Sequence, residues 1–300
     1  MKVIGNLLMA YVFFLAVVPQ GACAQVGKPL IRFGLFADAQ YADHDAQGNR
    51  YYRNSLKKIR ESVEFFNSRQ VRFAVNLGDL TDRSFSDSDT ILSCLKGLKA
   101  KVYHVTGNHD YKEVKDNRIL FQKLGMPAGY YSFRKKNWVF IFMDSNEVAS
   151  YSNVEGTEKE KEFQAIKARI EAGGGVQGAS WNGGVSARQL EWLNRLLEKS
   201  EKAGRQVMIF SHHPFYPRTP FSALNDEQVM EVIRPYSCVK AIFSGHHHAG
   251  GFAFFNRIPV VTVEGMIETK DKNAYGLVEI YSDRIVVEGK GRMTSRVFEL

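Results

Sequence analysis

Short apolar runs alternate with amphipathic stretches through the first two thirds of this 300-residue chain, and this alternation restricts its fold more than any other feature. Residues 31–37 predict a buried strand, residues 56–66 predict a helix with one apolar face, and residues 71–77 predict the next strand. Strands joined by helices in this order form parallel sheets whose faces are covered by the helices. The sequence therefore predicts an α/β fold.

The same alternation continues as far as Ile233. It predicts further helices at 90–98, 117–124, 158–171, 186–202 and 226–233, and further strands at 102–105, 138–143 and 207–210. After Val239 the pattern changes, because no helical stretch separates the apolar runs 241–243, 252–255, 260–263, 277–281 and 285–287. Strands spaced this closely predict antiparallel pairing in a second sheet. We expect residues 25–300 to form a single domain of two layered sheets with outer helices.

The first 24 residues have the pattern of an export signal. Lys2 gives a positively charged start, residues 7–18 are apolar, and Ala22-Cys23-Ala24 is a small-x-small cleavage site. The apolar run is shorter than the roughly 20 residues of a transmembrane helix. We expect cleavage after Ala24 and export to the periplasm or out of the cell, with no membrane span left in the mature chain. Attachment of a lipid to Cys23 is the alternative.

Composition and charge are those of an ordinary folded protein. Hydrophobic residues make up 44% of the chain and charged residues 24%, and the net charge of +8 is spread along the sequence. Such a charge suits an anionic ligand or a solvated basic surface, and without a basic tail no stable nucleic-acid partner is expected. Cys94 and Cys238 both lie in apolar stretches, which favours two buried thiols over a disulfide. Nothing in the sequence indicates an oligomeric state.

Five short segments follow predicted strands and carry side chains that bind metal ions. They are Asp38-Ala39-Gln40, Gly78-Asp79-Leu80-Thr81-Asp82, Gly107-Asn108-His109-Asp110, Ser211-His212-His213-Pro214 and Gly245-His246-His247-His248. Each segment alone is typical of a turn. Strand-end loops of an α/β sheet, however, meet at one edge, where ligands bind. Six of the eight histidines lie in three of these segments, which predicts a metal site with ligands for two ions.

The order of these segments resembles that of the calcineurin-like metallophosphoesterase superfamily. Further motifs are similar to those of the Mn²⁺-dependent ADP-ribose/CDP-alcohol diphosphatases: Tyr41-Ala42-Asp43, Asn49-Arg50-Tyr51-Tyr52-Arg53, Asn182-Gly183-Gly184 and Glu264-Gly265-Met266-Ile267-Glu268-Thr269. The resemblance covers residues 31–296. It implies a four-layer αββα sandwich of two mixed β-sheets flanked by helices.

The resemblance also implies a set of metal ligands. One divalent ion would be held by Asp38, Gln40, Asp79 and His248, and a second by Asp79, Asn108, His212 and His246. From the residues alone, His213 or His247 can take the place of a neighbouring histidine. Carboxylate, amide and imidazole ligands suit Mn²⁺, Mg²⁺, Fe or Zn²⁺, and the hard oxygen of Gln40, where the superfamily usually has His, favours Mn²⁺.

A hydrolytic reaction follows from this resemblance. Hydroxide bound between the two ions would attack a phosphoanhydride of ADP-ribose or of a CDP-alcohol such as CDP-choline, with Asp79 as the bridging ligand. His109 would stabilise the developing charge or protonate the leaving phosphate, and Asp82 would orient a ligand. The organic part of the substrate would contact side chains near the strand ends, with Tyr41, Arg50, Arg53 and Phe215 as the first candidates and Tyr51, Tyr52 and Tyr216 as further stacking surfaces.

Two other functions are compatible with the same residues. The first is a phosphodiesterase or phosphomonoesterase of broader specificity, because a dinuclear centre itself recognises only phosphoryl oxygens. The second is a catalytically inactive binding domain that retains the sandwich. The preserved set of predicted ligands and His109 favours an enzyme over this second alternative.

Overall fold

The computed structural model describes residues 27–300, so the predicted export signal and Cys23 lie outside the described residues. Its strands, numbered in chain order, are β1 (Ile31–Phe36), β2 (Ala74–Asn76), β3 (Val102–His104), β4 (Tyr131–Lys135), β5 (Trp138–Phe142), β6 (Gln206–Phe210), β7 (Val239–Ser244), β8 (Gly251–Phe255), β9 (Ile258–Thr262), β10 (Ala274–Ile280), β11 (Arg284–Gly291) and β12 (Arg296–Glu299). Its α-helices are α1 (Ser55–Ser68), α2 (Asp87–Leu95), α3 (Asn117–Lys123), α4 (Glu158–Ala172), α5 (Ala187–Lys202) and α6 (Asp226–Ile233).

The strands form two six-stranded mixed sheets, in the orders β12-β11-β10-β1-β2-β3 and β4-β5-β6-β7-β9-β8. Strands β1, β2 and β3 are parallel, and so are β5, β6, β7 and β9. Antiparallel strands complete both sheets. The predicted α/β sandwich of two mixed sheets flanked by helices is confirmed.

The prediction of a separate antiparallel sheet after Val239 is wrong. Strands β7 and β9 extend the second sheet in parallel, whereas β10 and β11 join the first sheet beside β1. Only the hairpins β8–β9 and β10–β11 pair as expected. Strands β9 and β10 are buried along their whole length, so their neighbours are chosen by tertiary packing, which local spacing does not reveal. The prediction also missed β4 and β12, which are short edge strands with exposed residues.

Aromatic side chains fill the space between the two sheets. Phe33 of β1 meets Phe140 of β5 and Phe210 of β6 at ring-centroid distances of 6.1 and 5.9 Å. The alternate residues of β5 point outward, where Ile141 belongs to the apolar cluster that includes Leu193 of α5. The period of two along each strand therefore gives one face to the common core and the other to the covering helices.

Two smaller predictions also agree with the structure. Ser186 caps α5, because its hydroxyl accepts a hydrogen bond of 3.1 Å from the backbone N–H of Gln189. Cys94 and Cys238 are both buried and unbridged. Among residues 27–300, no helix is long and apolar enough to cross a membrane.

The core placement of Phe140 is testable, because its ring is fully buried between the sheets. We expect Phe140→Ala to lower the free energy of unfolding by about 3–5 kcal/mol. The control is Phe254→Ala, whose ring is 54% exposed on the edge strand β8, and it should change this free energy by less than about 1 kcal/mol. Urea unfolding followed by circular dichroism measures both values. Equal losses in the two variants would contradict the placement.

Candidate metal centre

The loops after β1 and β2 are joined by backbone hydrogen bonds. The N–H of Asp38 donates to the carbonyl of Gly78 at 3.1 Å, and that of Gln40 donates to the carbonyl of Asp79 at 2.8 Å. Asp110 binds the second loop from the other side, because its carboxylate accepts from the N–H groups of Leu80 at 2.8 Å and Thr81 at 3.0 Å. The same carboxylate accepts from the N–H of Gly107 at 2.9 Å. Three strand-end loops are thereby fixed relative to one another.

Four predicted ligands stand on backbone in the left-handed region. The φ angles are 53° at Asp38, 44° at Gln40, 52° at Asp79 and 67° at His246. Residues other than glycine rarely adopt such angles, and they cluster at functional sites. The unusual backbone turns these side chains away from the strand directions and towards a common centre.

One cluster contains Asp38, Gln40, Asp79 and His248. The Nε2 atom of His248 lies 3.7 Å from Oδ1 of Asp38 and 3.2 Å from the amide nitrogen of Gln40. That nitrogen donates to Oδ2 of Asp79 at 3.0 Å. The four side chains are thus within reach of a single ion.

A second cluster shares Asp79 and adds Asn108, His212 and His246. The Nε2 atom of His212 lies 3.5 Å from Oδ2 of Asp79, and 3.1 Å from both Oδ1 of Asn108 and Nδ1 of His246. Asp79 therefore belongs to both clusters, the position that the resemblance implies for a bridging ligand.

The hydrogen bonds behind the second cluster determine which ring nitrogens carry lone pairs. Nδ1 of His212 donates to the carbonyl of Leu77 at 2.8 Å, which leaves Nε2 of that ring as the atom directed at the cluster. Nε2 of His246 donates to Oδ1 of Asn182 at 2.9 Å, which leaves Nδ1 of that ring as an acceptor. Burial, assisted by the neighbouring histidines, holds the pKa of His246 well below its usual value, so that ring is neutral. Nε2 of His212 therefore faces both Nδ1 of His246 and the oxygen of Asn108.

Such an arrangement fits a bound cation. Acceptor atoms that converge at 3.1–3.5 Å repel one another unless a positive ion lies between them. In the first cluster, Oε1 of Gln40 is buried and has no hydrogen-bond partner among the described residues. A half-turn of this amide places the oxygen beside Oδ2 of Asp79 and Nε2 of His248, where a metal ion would satisfy it. Burial also raises the pKa of Asp38, and a nearby cation would favour its ionised form.

The other two histidines of these segments have different contacts. His213 is fully buried, its Nδ1 lies 2.9 Å from the hydroxyl of Ser145, and its Nε2 accepts from the N–H of Gly183 at 3.3 Å. Burial lowers the pKa of His213 to about 3, with a further contribution from His212. The ring of His247 instead stacks on Phe221 at a centroid distance of 4.3 Å. These contacts favour His212 and His246 as ligands, and the assignment stays a prediction.

Residues behind His248 give Gly265 and Glu268 a physical role. Oε1 of Glu268 accepts from Nδ1 of His248 at 2.6 Å, which directs the Nε2 lone pair of that ring into the first cluster. A Cβ at Gly265 would lie 2.8–3.0 Å from atoms of the same ring, so only glycine fits. The buried amine of Lys58 donates to the carbonyls of Met266, at 2.6 Å, and of Thr269, and thereby holds the turn that carries Glu268.

His109 lies beside the clusters with its own partners. Its Nδ1 is 2.9 Å from Oδ1 of Asp82, and its Nε2 is 4.0 Å from Oδ2 of Asp79. Burial lowers the pKa of this imidazole, but the two carboxylates outweigh it and raise the pKa to about 9. Arg50 donates to Asp82 as well, at 3.2 Å. The prediction that Asp82 orients a metal ligand is therefore wrong, because its partner is His109.

A pocket of about 830 Å³ opens over both clusters. Around the predicted ligands and His109, its walls include side chains of Arg50, Tyr111, Lys112, Tyr151, Trp181, Phe221, His247 and Arg292. We name it the metal pocket. Of the four predicted substrate contacts, Arg50 alone lines it. Trp181 and Phe221 were missed because they lie in loops, where no periodic pattern distinguishes a pocket wall from a solvated side chain.

The predictions for Tyr41, Arg53 and Phe215 as substrate contacts need correction. Tyr41 and Phe215 are 6% and 2% exposed and belong to the apolar clusters of the interior. Arg53 points to solvent, where it forms ion pairs with Asp43 and Asp45. An aromatic residue next to a strand end packs into the core as readily as it faces a ligand, and here the core is the outcome. Of the further candidates, Tyr52 is buried too, and Tyr216 packs on Phe255.

Comparisons with known proteins agree with this geometry. Residues 31–250 match the calcineurin-like phosphoesterase family model. The Mn²⁺-dependent ADP-ribose/CDP-alcohol diphosphatase of Danio rerio is 30% identical, over 88% of this chain and 97% of that protein. The protein of the same name from Bos taurus is 29% identical, over 91% and 95% of the two chains.

Solved structures give the same result. The crystal structure of a dimetal phosphatase from Danio rerio superimposes with a TM-score of 0.83 at 28% identity, and the match covers 91% of this chain and 99% of that one. A purple acid phosphatase from yellow lupin shares the fold at a TM-score of 0.59 and 12% identity, over 91% of this chain and 54% of that one. The resemblance predicted from the motifs is thereby confirmed. This chain belongs to the calcineurin-like phosphoesterase family, and within it to the family of the manganese-dependent ADP-ribose/CDP-alcohol diphosphatases.

Proposed function

We propose that this protein hydrolyses the phosphoanhydride bond of nucleoside diphosphate esters, such as ADP-ribose and CDP-alcohols, with two Mn²⁺ ions. The observation that carries the proposal is the convergence of carboxylate, amide and imidazole side chains in two clusters that share Asp79, at the floor of the metal pocket. The name shared by the relatives from Danio rerio and Bos taurus supports the substrate class and the metal.

The chain supplies one cage of ligands for each ion. Asp38, Gln40 and His248 would hold the first ion, and Asn108, His212 and His246 the second, with Asp79 between them. When bound, such a pair of ions activates water and neutralises the charge on the phosphoryl oxygens. Asn182 and Glu268 fix the rings of His246 and His248, so the ligand atoms are oriented in advance.

His109 acts on the phosphate rather than on an ion. Asp82 accepts a hydrogen bond from Nδ1 of His109, which leaves Nε2 directed towards Asp79 and the metal pocket. A protonated ring at this position stabilises negative charge on the phosphoryl group and can deliver its Nε2 proton to the departing phosphate. The flanking carboxylates favour that protonated form.

Aromatic side chains in the wall of the metal pocket, which we call its base end, suit a nucleobase. The indole of Trp181 is 49% exposed, and Phe221 lies parallel to His247 with 9° between the ring planes. Any nucleobase can stack on such surfaces, because every base has an aromatic face. The metal pocket thus combines a phosphate end and a base end, as a nucleoside diphosphate requires.

The ligand assignment can be tested by metal content. We expect wild-type protein equilibrated with Mn²⁺ to retain two ions per chain by mass spectrometry of the metal, and His212→Ala to retain one. His213→Ala should retain two, because both nitrogens of that ring are engaged by Ser145 and the 181–183 segment. Circular dichroism checks that each variant is folded. If His213→Ala lost an ion and His212→Ala did not, His213 would be the ligand in place of His212.

The role of His109 separates metal binding from catalysis. We expect His109→Gln to lower kcat by about 10²- to 10⁴-fold while the metal content stays at two ions per chain. His44→Gln is the matched control, since His44 is exposed and lies outside the metal pocket, and its kcat should not change. A His109→Gln enzyme with wild-type kcat would remove this residue from the mechanism.

The substrate class is tested with metal-stripped protein to which Mn²⁺, Mg²⁺ or Zn²⁺ is added back. We expect Mn²⁺-dependent cleavage of ADP-ribose and CDP-choline with kcat/KM at least about tenfold above that for bis(4-nitrophenyl) phosphate and 4-nitrophenyl phosphate, because only the diphosphates use the base end of the pocket. A preference for the aryl esters would contradict the diphosphatase assignment and support the broader phosphoesterase.

A further inference from the structure

A second pocket of about 560 Å³ adjoins the metal pocket and shares Arg50, His109 and Lys112 with it. We name it the side pocket. Its other walls include Asp82, Arg83 and Tyr52. The base end of the metal pocket, with Trp181 and Phe221, takes no part in it. His109 therefore stands at the junction of the two pockets.

Positive charge dominates the side pocket. Three basic side chains line it, those of Arg50, Arg83 and Lys112, against the single carboxylate of Asp82. That carboxylate is 6% exposed and already accepts from His109 and Arg50, so it offers little to a ligand. Lys112 is exposed. Arg83 donates to Gln47 at 2.6 Å and its Nε lies 3.7 Å from Oδ2 of Asp82, yet 41% of its side chain is exposed. Two cations thus remain accessible to a molecule that enters.

The side pocket presents no open aromatic face among the described residues. Its one aromatic ring apart from His109 is Tyr52, which is buried and has the guanidinium of Arg83 over it at 5.2 Å from the ring centre. A quaternary ammonium group binds to open aromatic faces and is repelled by cations. The pocket therefore suits an anion and disfavours a cation.

The position of the side pocket assigns it to one end of the substrate. Trp181 and Phe221 line the metal pocket alone, whereas Arg50, His109 and Lys112 line both pockets. A substrate with its nucleobase at Trp181 and its diphosphate over the two clusters would therefore extend its second phosphate, and the group esterified to it, past His109 and Arg50. This direction leads into the side pocket. The placement rests on the proposed function. We propose that the side pocket receives the non-nucleoside group of the substrate and selects groups that carry a carboxylate or phosphate over neutral and cationic ones.

The test compares two nucleotides that differ by one carboxylate, UDP-glucuronate and UDP-glucose. We expect wild-type kcat/KM to be about fivefold higher for UDP-glucuronate at low ionic strength, the effect of an exposed ion pair, and this ratio to fall as salt is added. Lys112→Met and the double variant with Arg83→Gln should bring the ratio close to one. Lys115→Met is the matched control, because Lys115 is exposed on the same segment outside both pockets, and it should keep the ratio.

A binding measurement separates failure of the side pocket from failure of the proposed function. Calorimetry with the Mn²⁺-loaded protein compares glucuronic acid 1-phosphate with glucose 1-phosphate, and no turnover is needed. Tighter binding of the glucuronate compound that Lys112→Met abolishes supports the side pocket even if no diphosphate is hydrolysed, an outcome that would overturn the proposed function alone. Equal affinities, equal kcat/KM values, or a preference that survives in the double variant would overturn the side pocket while the diphosphatase activity stands.

Discussion

The carboxylate of Asp79 connects the parts of the site. Its Oδ2 accepts from the amide of Gln40 and faces Nε2 of His212, while its Oδ1 accepts a hydrogen bond of 2.8 Å from the backbone N–H of His109. This last bond needs close approach of two loops, and a Cβ at Gly107 would lie only 2.1 Å from the same oxygen. A glycine is therefore required where the third strand-end loop passes over the carboxylate. Because Asp79 belongs to both clusters, it keeps them next to each other.

Residues behind the predicted ligands orient the ligand atoms. His246 and His248 each direct one ring nitrogen at the clusters because the opposite ring nitrogen donates a hydrogen bond to Asn182 or Glu268. The amide of Asn182 is itself oriented, since its nitrogen donates to the carbonyls of Gln177 and Pro220 at 2.8 Å. For His246, whose pKa burial holds well below its usual value, a neutral ring in a defined tautomer is thus a property of the fold. Neutral imidazole is the form that binds a divalent ion.

The sequence predicts those features of the fold and the site that depend on neighbouring residues. Features that depend on contacts between distant segments are not visible in it. Strand-end position and residue type were enough to bring Asp38, Asp79 and His248 together, because parallel strands place their loops at one edge. The pairing of β7 with β9 depends on which buried strand packs beside which, and apolar runs carry no such information. Pocket walls were harder still. Phe215 was predicted to contact the substrate, but it packs into the core, and Phe221 lines the pocket instead. Nothing local in the sequence distinguishes these two residues.

The left-handed backbone at Asp38, Gln40, Asp79 and His246 bears on how the chain acquires its metal. Each such residue costs about 1–3 kcal/mol, and the hydrogen bonds between the strand-end loops offset that cost within the protein. Ligand geometry is therefore imposed by the fold and does not adapt to each arriving ion. Sites of oxygen and nitrogen ligands nevertheless bind Zn²⁺ and Cu²⁺ more tightly than Mn²⁺ as a rule. Which ion the chain binds then depends on the metals available in the compartment where it folds. The same sequence folded in another compartment can bind a different ion.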